Sequence, residues 1–465
     1  MFPYIIFIAY SVVLYFIAPT EMDRGFMALG IVPTIGFCIH FFRTNINNNC
    51  LGFFRHSNIF VLIYLVVFYQ FYIDYLLGFI DNTEIRIWVN TSIVPRALCL
   101  CNIGLSSFLI GYKYQEKIGD SATYNYVVPS VKKYPAKSLL CLLGYFMFAV
   151  FLFSADASFF RSGYLISEGN LDSSFGILVL LQSVLIATFT LYSLEYRNSK
   201  IRGHFFKFFR SPIILVVLYS GVVVLSGRRT EALRVVIMLL FVYLYATGNR
   251  MSVKKTLLYL CFLVVSVSVF GVIRGEGASI TDGIKELIEV KTISPFTREL
   301  AGSVKTVHIA MDYIPKSIPY NYGITFFASL SLLVPGLDRL IRYAFSSGLE
   351  LNSATLISNL YWGGDDWGYG LGSSIVADVY VSFGVIGVLV ILFLLGKLFR
   401  VIEILTTRTT NVYWIALSIG VYSQILYSCR TGVSVLFLSW TYACILLYLT
   451  SQIFKNKNQR KNEFD

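Results

Sequence analysis

Charge is scarce in this sequence. Only 14% of its 465 residues are Asp, Glu, Lys or Arg, while 56% are hydrophobic and the mean hydropathy is +0.68. A water-soluble chain of this length needs far more charge to cover its surface, so a soluble globular protein is excluded. Histidine is equally sparse, with four in the chain, and neither these nor the eight cysteines fall into a zinc or disulfide spacing. Cys38, Cys99, Cys101, Cys141, Cys261 and Cys444 sit inside apolar runs, where cysteine behaves as a small hydrophobe, and Cys50 and Cys429 lie at their edges. There is no Walker loop, no GxGxxG after a strand and no HExxH. No soluble nucleotide-binding domain is evident, so a nucleotide-sugar donor is not expected, nor is any cofactor. An outward Asp-x-Asp pair is also missing, so no metal site is expected.

What is present is a series of apolar runs near 20 residues, enough at 1.5 Å per residue to cross a hydrocarbon core of about 30 Å. Barrel strands would read as shorter alternating segments, so the expected fold is all-α, a polytopic integral membrane protein. The runs lie at 3–19, 25–42, 58–80, 90–112, 137–153, 175–195, 211–227, 231–248, 256–273, 374–396, 411–428 and 432–453, about 12 transmembrane helices in a single membrane domain spanning 1–465. The first run lacks a basic leader and a small-residue cleavage site and reads as a retained span.

The net charge of +12 is not a nucleic-acid footprint, because the basic residues fall in short clusters between runs. Alternate linkers and the tail hold about 22 of the 38 Lys and Arg residues, Arg43, Lys113, Arg202, Lys254, Arg400 and Lys457 among them. The intervening short linkers, around 20–24, 81–86 and 154–174, are poor in basic residues and carry acids instead. This alternation places the N- and C-termini in the cytoplasm. One outward loop, 274–373, is much longer than the rest. Within it, 325–345 has the composition of a re-entrant or interfacial helix interrupted at Pro335.

Charges near a membrane are costly and tend to be functional or paired. Arg228, Arg229, Glu231 and Arg234 cluster in SGRRTEALR at 226–234, on a side where basic residues are otherwise avoided. Guanidinium forks suit pyrophosphate oxygens; the plainer alternative has the arginines reaching lipid head groups and Glu231 pairing with Arg234. Arg274 and Glu276 in the VIRGEG turn suit a ligand or a simple turn equally. Arg430 in YSCRTG and Arg96 after Pro95 each read alone more readily as structural, but together these guanidiniums gather on one membrane face. Candidate bases on the same face are Asp378, at the start of the tenth run, and Asp365 and Asp366 in YWGGDDWGYG. Trp362 and Trp367 in that segment suit stacking on sugar rings, or equally an interfacial aromatic belt. His308 is the single outward histidine and reads more readily as a surface residue than as a base.

The layout resembles the bacterial O-antigen polymerases of the Wzy type. Three features carry the likeness: SGRRTEALR opening a span after a tight outward turn, the large late loop, and its exit LGSSIVADVYVSFGVIGVLVILFLLGKL at 371–398. In that exit Ser373, Ser374, Asp378, Phe383, Gly384 and Gly387 stand at characteristic places, with Asp378 where relatives often carry Glu. The resemblance implies a GT-C-like membrane glycosyltransferase independent of nucleotide and metal, working on the periplasmic side of the inner membrane. Donor and acceptor would both be polyprenyl-pyrophosphate-linked glycans, set among membrane lipids, with a chain-length regulator and a flippase of the same pathway as partners. It also implies that Arg228, Arg229 and Arg274 hold the pyrophosphate and Asp378 takes the acceptor's proton. Two other readings remain open at this level. An O-antigen ligase or another lipid-linked glycosyltransferase shares the topology. A lipid-linked oligosaccharide flippase also has about twelve spans, although such carriers usually show two similar halves, which this chain lacks.

Overall fold

The computed structural model describes residues 1–46, 52–84, 87–119, 134–154, 171–198, 204–225, 229–249, 292–294, 297–331, 350–363 and 370–462, with isolated positions between 252 and 259 and between 334 and 343. Among these residues the chain is helical and contains no strand. The longer helices are α1 (Phe2–Ile17), α2 (Arg24–Ile46), α3 (His56–Leu76), α4 (Val94–Gly119), α5 (Ala136–Ser154), α6 (Leu171–Asn198), α7 (Arg210–Leu225) and α8 (Arg229–Thr247). They continue with α9 (Val304–Tyr313), α10 (Ile324–Ser331), α11 (Ser353–Trp362), α12 (Ile375–Arg408), α13 (Val412–Ser428) and α14 (Val435–Asn462).

Helices therefore occupy eleven of the twelve apolar runs. The remaining one, the ninth at 256–273, lies outside the described residues apart from isolated positions. Seven of the helices are long and apolar enough to cross a membrane: those at 24–45, 56–76, 94–116, 136–154, 176–197, 375–408 and 435–454. The chain is a multi-pass membrane protein. The first third of the expected re-entrant stretch is helical, as α10, whereas Pro335 lies outside the described residues.

The most extensive interhelical contact joins α4 to α12. Apolar side chains gain little by leaving lipid for one another, so helices in a membrane associate through close packing. Gly111 on α4 faces the Phe393 backbone, and Gly396 on α12 faces the Phe108 carbonyl and the Tyr112 amide. At one end of this contact, Glu403 is wholly buried and accepts the Ser57 N–H at 2.9 Å and the Tyr112 hydroxyl at 2.6 Å. Arg400 reaches Glu116 at 3.5 Å, and Lys113 reaches the same carboxylate at 2.7 Å. Charged groups thus fix α3, α4 and α12 at that end.

The other half of α12 is broken. Gly384 takes φ 66° and ψ −157°, which a helix cannot pass through and which a side chain would strain. The break lies roughly 14 Å along the axis from Ile375. Near it the Asn321 N–H donates to the Val381 carbonyl at 3.2 Å, and Thr325 Oγ1 meets Ser382 Oγ at 3.1 Å. The Tyr320 ring covers Gly384 itself, where a Cβ would lie 3.1 Å from its hydroxyl oxygen. The segment before α10 is therefore docked into the break by backbone and side chain together. Helix α9 packs on α12, α11, α4 and α3 and brings the rest of the long insertion down onto the bundle.

The glycine contact yields a stability test. Gly396→Leu is expected to destabilise the protein by about 2 kcal/mol or more, because backbone on both sides leaves the side chain no exit. Gly36→Leu, at a position with nothing within 4 Å, is the control and should leave the melting temperature in detergent unchanged.

Candidate functional site

The start of α12 gathers the polar groups of the insertion. Ser374 caps the helix, its hydroxyl accepting the Ala377 N–H at 3.3 Å. The Thr306 hydroxyl from α9 donates to Ser374 Oγ at 2.8 Å, and the Ser353 hydroxyl from α11 donates to Ser373 Oγ at 3.1 Å. Asp378 stands in the first turn, where the helix dipole favours a carboxylate. It is only 2% exposed. Ser353 and the Val433 amide face its carboxyl group.

Four carboxylates are buried among the described residues, and Asp378 differs from the other three. Asp74 accepts Thr292 and the Ile293 N–H at 2.6 Å each, one per oxygen. Glu231 has Arg234 at 2.7 Å on both oxygens, and Glu403 has Ser57 and Tyr112. Asp378 leaves Oδ2 without a hydrogen bond. A buried carboxylate oxygen left unbonded carries a desolvation cost, so it stands out as a group kept ready to bond something else. A Cβ at Gly432 would lie 2.6 Å from this oxygen, so the turn between α13 and α14 approaches it as closely as a glycine permits.

That turn also carries Arg430. Its Nε donates to Ser303 Oγ at 3.1 Å, just before α9, and its N–H returns to the Tyr427 carbonyl at 2.8 Å. One turn below, the Arg234 guanidinium lies 4.7 Å over the Tyr427 ring. Arg234 pairs with Glu231, bonds Gln182 Oε1 at 3.1 Å, and reaches Gln424. Gln182 also donates to Glu231 at 2.7 Å, and Gln424 to Ser439 Oγ at 2.9 Å. Glu231 is thus the partner of Arg234, inside a network linking α6, α8, α13 and α14.

The candidate residues do not all meet. Asp378, Arg430, Glu231 and Arg234 are connected in one row of contacts, the Arg430 path, through Gly432 and Tyr427. Arg96 is apart from it, exposed on the first turn of α4, with its guanidinium 5.9 Å over the Tyr15 ring and Tyr380 close by. Trp362 closes α11, half-exposed, edge-on to Tyr361 at 4.7 Å. Arg229 begins α8. Arg228, Arg274, Glu276, Asp365, Asp366 and Trp367 lie outside the described residues.

His308 requires a correction. The sequence placed it on the surface of a loop, but it is fully buried on α9. Its Nε2 shares a 2.8 Å hydrogen bond with the Tyr72 hydroxyl, and Trp88 lies 5.8 Å away. The apolar periodicity of VKTVHIAM puts position 308 on the inward face of α9, a signal that was there to be read. Burial, reinforced by the Lys305 ammonium, pushes the imidazole down to about 3, so it is neutral at physiological pH. Other groups had weaker signals. Gln182, Gln424 and Ser439 are uncharged polar residues within apolar runs, and Ser303, Thr306 and Ser353 are unremarkable in sequence.

Two outcomes follow. Glu231→Gln leaves the buried Arg234 charge uncompensated and should lower stability in detergent by about 3 kcal/mol, while adding Arg234→Met recovers part of the loss. For His308, the unfolded imidazole binds a proton near 6.5 and the folded one only near 3. Its contribution to stability is therefore full above pH 6.5 and lost as pH falls toward 3. The melting temperature of His308→Gln should drop less than that of the parent between pH 7 and pH 4.5.

The profile of the family described as O-antigen polysaccharide polymerase Wzy matches residues 1–458. No curated protein and no solved structure matches the chain. With nearly its whole length covered, the chain belongs to the O-antigen polysaccharide polymerase Wzy family, membrane glycosyltransferases that join lipid-linked oligosaccharide repeat units into O-antigen.

Proposed function

We propose that the Asp378 end of the bundle faces the periplasm across the bacterial inner membrane and performs the polymerisation there. Twelve crossings, both termini in the cytoplasm and 274–373 as the outward insertion on a single membrane domain agree with the alternation of basic linkers. Donor and acceptor are glycans on polyprenyl pyrophosphate. The donor brings its own activated leaving group, so the reaction needs neither a nucleotide sugar nor a metal.

In this reading a hydroxyl at the nonreducing end of the acceptor unit attacks the anomeric carbon of the donor glycan. The new C–O bond forms as the bond from that carbon to the pyrophosphate oxygen breaks. The hydroxyl proton passes to Asp378 Oδ2, and polyprenyl pyrophosphate departs with the bonding electron pair. A buried carboxylate with one unbonded oxygen is suited to accept that proton. Negative charge grows on the leaving group, and guanidiniums already in place stabilise it without reorganising; one such donor is typically worth about 3 kcal/mol. Arg430 stands in the turn whose Gly432 abuts Asp378, and Arg228, Arg229 and Arg274 are proposed to join it. Trp362, Trp367, Asp365 and Asp366 would contact sugar, with Glu276 beside Arg274. The observation that carries the proposal is the free Oδ2 of Asp378 beneath the Arg430 turn.

The test is complementation of a deletion strain, read on a gel of surface polysaccharide chain lengths. The parent gene should restore a ladder, whereas Asp378→Asn should leave a single repeat unit on the lipid core, a loss of about a hundredfold or more in transfer rate. A full ladder from Asp378→Asn would remove the base assignment. Bare core in the deletion strain would point to ligation or flipping instead.

A further inference from the structure

The break in α12 also shapes the surface below the site. A groove of about 450 Å³ runs beside the break, lined by Tyr320, Tyr322, Phe383, Ile386, Val390 and Ile391. Its volume falls within the usual range of ligand sites, about 300–1,000 Å³. The lining is almost wholly apolar, and its α12 wall faces outward: Ile386 is 74% exposed and Val390 49%. A groove on an exposed apolar helix face of a membrane protein opens to lipid rather than to water.

The end of the groove at the break is polar. Ser382 lines it next to the break and lies one helical turn, about 6 Å, from Asp378 on the same face. Tyr320, which lines the groove and covers Gly384, meets Tyr380 edge-on at 5.9 Å. Tyr380 donates to the Ile314 carbonyl at 3.2 Å and is a near neighbour of the exposed Arg96. A cation thus stands beside the tyrosines at the mouth of the apolar channel. Arg96 lies away from the Arg430 path, so it is left unused by the chemistry proposed above.

We propose that this groove holds the isoprenoid chain of the polyprenyl pyrophosphate-linked donor, with Arg96 joining the arginines named above on its pyrophosphate from the groove side. The proposal rests on the lipid-linked substrate of the preceding section and adds where the lipid lies. Lipid tails are as apolar as the groove, so hydrophobic transfer supplies no preference for one chain over another. Selectivity has to come from shape and from the head group. The rings of Tyr320, Tyr322 and Phe383 against β-branched Ile386, Val390 and Ile391 make a stiff, ribbed wall that suits a methyl-branched chain. Arg96 discriminates pyrophosphate from a singly charged phosphodiester by charge and by its forked donors. Because the groove opens beside Ser382, the first sugar of a substrate held this way is delivered toward Asp378.

The probe is a polyprenyl pyrophosphate with a diazirine in its isoprenoid chain, photolysed with the full-length protein in nanodiscs and mapped by mass spectrometry. Label is expected on 320–322 and 383–391. Excess unlabelled polyprenyl pyrophosphate should reduce it by about fivefold or more, while the same excess of phosphatidylglycerol leaves it largely in place. Arg96→Gln should weaken that competition, and Ile386→Trp with Val390→Trp should block labelling. Label spread over the exposed faces of α1 and α2, or displaced equally by phosphatidylglycerol, would overturn the proposal. Polymerisation of purified lipid-linked units is measured on the same preparation. Polymer formed without groove labelling removes the groove and leaves the polymerase; specific labelling without polymer supports the groove and removes the proposed reaction.

Discussion

Inside a bilayer there is no water to take up a free backbone carbonyl, so every main-chain polar group needs a partner from the protein. Most of this chain meets that demand by staying helical. At Gly384 it does not: the helix breaks well inside α12, and the ladder cannot run through a residue at φ 66°. Asn321 bonds the Val381 carbonyl, and Thr325 meets Ser382. The long insertion is therefore more than a cover over the bundle, because α12 depends on it to satisfy its own backbone. Docking of the insertion at 320–325 also fixes where α9 and α11 can rest, and hence where Thr306 and Ser353 reach the start of α12.

The same demand applies to side chains, with larger energies. A charge without a counter-charge in low dielectric is costly, and three of the buried carboxylates among the described residues sit in bonded sets. Glu403 joins α12 to α3 and α4, Glu231 joins α8 to α6 and, through Arg234, to α13, and Asp74 ties α3 to the segment around Thr292. Each of these carboxylates has both oxygens occupied and acts as a clasp between elements. Asp378 is as deeply buried as they are, yet one of its oxygens, packed against Gly432, has no hydrogen bond. A residue whose purpose was to join helices would have no reason to leave that oxygen bare.

The helices were legible in the sequence because lipid imposes a long apolar run on each crossing, and eleven of twelve runs carry a helix. Asp378 was legible for the same reason, since a carboxylate at the edge of such a run is conspicuous. What escaped notice was set by pairing in space. Gln182 and Gln424 lie 242 residues apart and look unexceptional in their own runs, yet both converge on Arg234. The burial of His308 arises from Tyr72 and Trp88 on distant segments. Gly384 was noted for its position in a family-like stretch, but an isolated glycine gives no sign that the backbone will turn there. That depends on Asn321 and Tyr320 arriving from the insertion to receive it.

A lipid-linked glycan is itself divided, with a chain that belongs in lipid and sugars that belong in water. A site for it has to offer both environments within a few ångströms. An unbroken helix could not readily do this, because its polar backbone stays sealed along its whole length and it presents one continuous wall. Breaking α12 at Gly384 separates two halves with different surroundings. Before the break, Ser374, Asp378 and Ser382 face hydroxyls from α9, α10 and α11. Beyond it, Ile386 and Val390 face outward along an apolar groove. The glycine that costs the helix its continuity is what lets one element border both parts of an amphiphilic substrate.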